Sequence, residues 1–277
     1  MDIVLKISEH IKNNQINFNV LSNSFPKLLE AAESINDLFD QLYGERFQHD
    51  NQILWQFSTA KMLFGIHSCW VNYFIQSAQG YNDIGIMIGR RAIEYTCFIS
   101  KINGRDSLAK LWNEKTVNKT KLSSFNNKFT VPQKYFTTKY SHLKPLLVFH
   151  NYASEFGVHG NHASLVFKFR GAEFRNKISM CFQDIPEGIP HSTVTAIQIG
   201  SYILDALLID LKENIRNFAE FKTIVDYKNA IVSSAINEVI QFTDENLDPG
   251  LANNLKEIEP GKIDDLFNEL RDSYDPT

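Results

Sequence analysis

The sequence predicts an all-α fold, a multi-helix bundle with long central helices and one candidate β-hairpin. Apolar residues recur at helical spacing along most of the chain. Residues 50–79 are apolar on two faces, the mark of a helix central to its domain, and residues 191–218 carry a further long apolar stripe. With 277 residues, 43% hydrophobic and 22% charged, the composition is globular and long enough to bury a core without staples.

Taken in order, Ile3, Ile7 and Ile11 predict a short amphipathic helix over residues 2–13, broken by the polar stretch 14–23. Ser24 as cap and Pro26 in the first turn start a second helix, with Leu28, Ala32, Ile35, Leu38 and Leu42 as its stripe and Gly44 as its end. Asp50 caps the third helix, residues 50–79. One of its faces holds Leu54, Phe57, Phe64, Val71 and Phe74, and the other holds Trp55, Met62, Ile66, Trp70 and Tyr73. Gln52, Gln56, His67, Asn72 and Gln76 interrupt it, so no membrane span is read there. Gly80 turns the chain into a fourth helix, residues 82–102, with Ile84, Ile88, Tyr95 and Phe98 along one side. Gly85 and Gly89 let a neighbouring helix approach closely. Arg91 falls in the apolar stripe and Glu94 at its edge. Arg90 and Glu94 are at i and i+4, Arg91 and Glu94 at i and i+3.

Residues 101–144 change in character. Lys101, Arg105, Lys110, Lys115, Lys119, Lys121, Lys128, Lys134, Lys139 and Lys144 face only Asp106 and Glu114, and Phe125, Phe129, Tyr135, Phe136 and Tyr140 are interleaved. The pattern predicts a short helix over 106–114, a loop rich in Ser, Thr and Asn, and short helical pieces after Pro132. Pro145 opens the next helix. Phe149, Tyr152, Ala153 and Phe156 share one of its faces, His150 and Ser154 another, and Gly157 caps it. Leu165, Phe167 and Phe169 alternate, as do Ile178, Met180 and Phe182, the pattern of a β-hairpin around Gly171. Residues 191–218 form a central helix in which Asp205 and Asp210 argue against a membrane span, and residues 226–243 are amphipathic. From Asp244 the chain turns acidic and holds one weak helix, residues 262–272. The division is a helical domain, 1–243, and an acidic C-terminal extension, 244–277.

The densest cluster of chemically capable side chains runs from His150 to His162. It holds three of the eight histidines, with Tyr152, Ser154 and two glycines. A guanidinium on a buried stripe must be paired, so Arg91 is expected to meet Glu94 or to clamp an anion. The site read from these residues is Arg91, Glu94, His150, Tyr152, Ser154, His159 and His162. His159, His162 and Glu94 are the candidates for acid–base work. Too few ligands converge for zinc, so neither a metal nor another cofactor is expected. Cys69, Cys97 and Cys181 stand far apart in apolar contexts, as buried free thiols would. The N-terminus has no basic region or long apolar core, so no signal peptide is read and a cytoplasmic protein is expected. The net charge of −4 gives no global attraction to nucleic acid or membrane, although residues 101–144 are locally basic.

Arg91 and Glu94 on a central helix, followed by Tyr152, Ser154 and His159, resemble a group of uncharacterised bacterial all-helical proteins. The likeness covers roughly residues 50–212 and implies a helical fold without an established activity. A looser similarity is to helical ribonuclease domains of toxin and phage-defence systems. Those pair an Arg and a His at a fixed short spacing on one helix, and no arginine here has that spacing. The leading expectation is a helical binding protein that recognises a small anionic ligand or a nucleic acid. The alternatives are a phosphodiesterase or nuclease with a histidine acid–base, and a structural partner in a homo-oligomer.

Overall fold

A computed structural model describes residues 7–154, 189–246 and 260–274. Among these residues the protein is an all-α bundle of ten helices. They are α1 (Ile7–Ser24), α2 (Pro26–Gln41), α3 (Leu54–Ala78), α4 (Asn82–Ile102), α5 (Asp106–Asn113), α6 (Lys119–Phe129), α7 (Lys144–Ala153), α8 (Ile189–Leu211), α9 (Phe218–Asn246) and α10 (Pro260–Tyr274). The stretch read as a hairpin lies outside the described residues, as does Gly157.

α8 is the axis of the bundle. Helices α2, α3, α4, α7 and α9 all pack against it. It is long and apolar enough to cross a membrane, but most of its apolar surface is buried inside the protein. α3 and α4 form a tight antiparallel pair, joined through Gly80 at φ 86°. A Cβ on Gly89 would lie 2.5 Å from the ring of Tyr73, and one on Gly85 2.9 Å from it. The two glycines therefore set the spacing of the pair, as expected. Gly200 does the same for α8, because a Cβ there would sit 2.3 Å from Trp70 Nε1. That close approach lets the indole N–H donate to the carbonyl of Ala196 at 2.9 Å.

Several boundaries differ from the sequence reading, each for a tertiary reason. α1 runs unbroken through residues 14–23. Leu21 is buried and Phe18 packs against the core, while Asn17 donates to the carbonyl of Gln79 at 3.1 Å. Packing there outweighs the modest helix propensity of asparagine. Phe25, not Ser24, stands at the N-cap of α2. α3 begins at Leu54 because Asp50 is spent on its own turn, accepting from Gln52 N at 2.8 Å. The cap is instead supplied from α5, where Asp106 Oδ1 accepts from Trp55 N at 2.9 Å. Of the two apolar faces of α3, Met62, Ile66, Trp70 and Tyr73 are buried, whereas Phe64 is exposed.

The segment read as a loop before Pro132 contains α6. Asn118 caps it by accepting from Lys121 N at 2.9 Å, and Phe125 stacks on Phe129 at 4.7 Å one turn later. The long helix expected over 191–218 stops at Leu211. Residues 46–48 take the backbone of the following strand-like step: Gln48 N donates to Asn214 O, Arg216 N donates to Arg46 O, and Phe47 bridges Ile215. Asn217, at φ 51°, then redirects the chain into α9. α9 therefore starts earlier than residue 226, with Phe221 and Val225 joining Val232, Ala235 and Val239 in one buried stripe. In the C-terminal region, α10 lies against α7. Phe267 meets Phe136 edge-on and Asp264 pairs with Lys144 at 2.8 Å.

Candidate functional site

α4 carries the charged groups, and its rotation decides which of them is enclosed. Its buried face is Gly85, Ile86, Gly89, Ala92, Ile93 and Thr96, because the glycines mark the closest approach to α3. Ile84 is correspondingly exposed, and so is Arg91. The expected stripe was one residue out of phase, and the arginine that enters the interior is Arg90.

Arg90 Nε lies 3.1 Å from Glu94 Oε1, and His150 Nε2, from α7, lies 3.3 Å from the same oxygen. His150 is 2% exposed. Burial lowers its pKa, more than the hydrogen bond to Glu94 restores, so the imidazole is neutral near pH 7. Burial alone would raise the Glu94 carboxyl, but the His150 hydrogen bond and the charges of His150, Arg90 and Arg91 outweigh it and hold it below the ordinary value. Arg90 Nε also donates toward His150 Nε2 at 3.2 Å, so the same ring nitrogen faces both an acceptor and a donor, while Nδ1 is buried without a hydrogen bond.

Beside Arg90 there is space for about one water molecule, in a cavity lined also by Tyr73, Phe149 and Tyr152, and not by Glu94 or His150. The Tyr73 hydroxyl is buried without a hydrogen bond. Tyr152 is 41% exposed. Ser154 turns back on its own helix and donates to the carbonyl of His150 at 2.8 Å, so its hydroxyl is committed. Arg91 makes no ion pair within the triad, acting on Glu94 only through its charge, and is turned toward Tyr95. The structure thus joins Glu94 and His150, with Tyr152 beside them, and replaces Arg91 by Arg90. His159 and His162 lie outside the described residues. Cys97 is buried and Cys69 only half-buried, both as free thiols, and Cys181 lies outside. Burial pushes both described thiols up, away from the thiolate. Among the described residues, no three His, Cys, Asp or Glu side chains converge as metal ligands would.

A second polar cluster gathers at the C-terminal end of α4. Asp210, on α8, accepts from the Ser100 hydroxyl, and His142 Nε2 lies 3.2 Å from its carboxylate. Asn103 donates to the backbone carbonyl of Asp210. The aspartate stands between serine and histidine, so this is not the order of a nucleophilic triad, in which histidine touches the hydroxyl. Beside it, Lys101 Nζ lies 4.4 Å from the ring centre of Tyr135 and 3.1 Å from the carbonyl of Lys134. Arg105 reaches the Tyr140 hydroxyl, and Lys139 Nζ lies 5.7 Å from the Tyr140 ring. Lys101 has its pKa pushed down to about 8, first by burial and then by the charges of Lys134, Lys128 and Arg105, with Cys97 opposing. None of Lys101, Arg105, Lys128, Lys134 and Lys139 has a carboxylate partner among the described residues.

Eight of the ten cations of the basic stretch fall into two groups. Lys110 and Lys121 are paired with Glu114, and Lys144 with Asp264. The five cations near the end of α4 have no acidic ion-pair partner among the described residues. The interleaved aromatics are interior: Phe129, Tyr135 and Tyr140 are 1%, 0% and 6% exposed. The Arg90–Glu94 spacing was legible in the sequence, but the enclosure of Arg90 in place of Arg91 and the grouping of Ser100, His142 and Asp210 were not. The first needed the rotation of α4 and the second needs three separate elements. No protein-family model, curated protein or solved structure matches the chain.

Proposed function

We propose that the protein binds a polyanion, with the nucleic-acid phosphate backbone as ligand, through Lys101, Arg105, Lys128, Lys134 and Lys139. The carrying observation is that these cations collect around Lys101, Tyr135 and Tyr140, and that none of the five is ion-paired with a described carboxylate, the nearby Asp210 being engaged by Ser100 and His142. Like charges held together in this way repel one another, and a chain of phosphates relieves the repulsion while releasing its own counterions. The Arg90–Glu94–His150 network supports this reading less, because its charges are already matched and the space beside it fits about one water.

Because Phe129, Tyr135 and Tyr140 are buried, their faces are closed to bases. The binding is therefore electrostatic and tolerant of sequence, with phosphate contacts that position rather than specify. An electrophoretic shift with mixed-sequence single-stranded RNA and DNA tests this. Replacing Lys101, Lys128, Lys134 and Lys139 together by glutamine abolishes the shift while the circular dichroism spectrum is kept. Unchanged binding by that variant rejects the site.

A second reading, phosphodiester cleavage, is favoured by the His142–Asp210 hydrogen bond beside the same cations, since a carboxylate-oriented imidazole is a proton-transfer group. Incubating labelled RNA with parent and His142→Ala separates it from binding alone. Equal product from both excludes His142.

A further inference from the structure

Lys115 occupies the turn between α5 and α6, and its side chain is folded inward. Its Nζ lies 4.8 Å from the ring centre of Phe125, 5.3 Å from Trp112 and 5.8 Å from Phe98. The three rings come from three helices, α6, α5 and α4. No described residue gives this ammonium an ion pair or a hydrogen bond. Half-burial and the charge of Arg91 both work against the cation, the first more strongly. The charge of Glu94 opposes them, and so do the ring faces, whose negative quadrupole attracts a cation within about 6 Å.

Trp112 adds a second observation. A buried indole usually places its N–H on an acceptor. Here Nε1 is buried and has none. The ring is thus placed by its packing, with its face toward Lys115, and not by its hydrogen-bonding edge. Glu114, next in the chain, is tied to Lys110 and Lys121. Rotation of the Lys115 side chain therefore opens the box without moving the turn.

We propose that Phe98, Trp112 and Phe125 form a cation site for a quaternary ammonium group, with Lys115 as its tethered occupant. A quaternary ammonium suits the box better than a primary one. It donates no hydrogen bonds, so it gives up less hydration on entry, and its methyl groups meet the ring faces that Lys115 covers. The tether gives Lys115 a high effective concentration, so an external cation competes poorly until the lysine leaves. The site is separate from the Lys101 cluster and stands whether or not the protein binds nucleic acid.

Two measurements on the full chain test this, with tetramethylammonium chloride as probe and sodium chloride as control at equal ionic strength. In the first, the Trp112 indole N–H resonance, assigned through Trp112→Phe, is followed during titration of Lys115→Ala. A saturable shift is expected, at a concentration about tenfold or more below that needed in the parent. In the second, which needs no variant, the lysines of the parent are reductively methylated with a carbon-13 label. The Lys115 methyl signal is expected upfield of the others because of the three rings, and tetramethylammonium returns it toward their position. A Trp112 signal in Lys115→Ala that responds identically to both salts overturns the proposal. So does a Lys115 methyl signal in the parent that stays in place at saturating probe.

Discussion

Lys228 Nζ lies 3.0 Å from Asp205 Oδ1, and no part of the lysine is open to solvent. The same ammonium donates to the carbonyl and the hydroxyl of Ser201, at 2.9 and 2.8 Å. The cation therefore has three acceptors and fastens α9 to α8. Removing one partner of such a pair leaves a buried charge, which costs more than removing the charge itself. Asp205→Ala is expected to cost about 2 kcal/mol, below the ~3–5 kcal/mol of a fully buried pair because Asp205 is partly open to water. Lys228→Met should cost less. Urea unfolding of the two variants checks the order, and the reverse order removes the pair from the account.

Glu94 holds Arg90 and His150 together, so Glu94→Ala is expected to cost about 1–2 kcal/mol. Arg91→Leu should stay within about 0.5 kcal/mol, since Arg91 is exposed. The pH dependence follows from the two shifts. His150 binds its proton less readily folded than unfolded, so its contribution is complete above about 6.5 and is lost as pH falls through its lowered folded value. Glu94, also lowered, loses its contribution further into acid. The melting temperature should therefore fall between pH 7.5 and pH 5, and fall less in His150→Gln. Equal falls in both chains would assign the acid sensitivity elsewhere.

Gly89→Ala places a methyl group 2.5 Å from the ring of Tyr73, which is fully buried and has nowhere to go. Overpacking of this kind costs about 1–3 kcal/mol. Gly44→Ala, with nothing within 4 Å, serves as the control and should be neutral or stabilising. Thermal denaturation distinguishes them, and a Gly89→Ala chain as stable as the parent would show that α3 and α4 separate freely.

The proposed phosphate binding predicts that Lys101 links binding to protons. Its pKa of about 8 in the free protein rises when phosphates replace water and neutralise its neighbours. Between about 8 and the ordinary lysine value near 10.4, binding then takes up a proton and weakens as pH rises. Titration calorimetry at pH 8.5 in two buffers of different ionisation enthalpy should give heats that differ by part of a proton. Identical heats would mean that Lys101 is not in the interface.

Much of the fold was legible, because burial repeats along a helix. The stripe Leu28, Ala32, Ile35, Leu38 and Leu42 is buried as expected, and residues 82–102 form a helix with the expected ends. Errors arose where information comes from another part of the chain. Asp106 caps α3 from α5, and residues 46–48 draw the end of α8 out of its helix. The rotation of α4 was decided by Gly85 and Gly89, whose lack of a side chain is invisible to a search for apolar stripes. Reading Arg91 as buried instead of Arg90 was the consequence. Lys228 was detectable, since it falls at helical spacing between Val225 and Val232 in the buried stripe of α9. The grouping of Lys101, Arg105 and Lys139 around Tyr140 was only half legible. The sequence shows many cations, but which of them find a carboxylate depends on the fold.

The most direct test of the central claim is the salt dependence of oligonucleotide binding. The logarithm of the affinity of parent and of the chain with Lys101, Lys128, Lys134 and Lys139 replaced by glutamine is plotted against the logarithm of salt concentration. Each phosphate contact to a single strand contributes about 0.7 to the slope, so the variant should lose about 3 in slope together with most of its affinity. Affinity and slope that are the same for both chains would contradict the assignment of these lysines to a phosphate-binding surface.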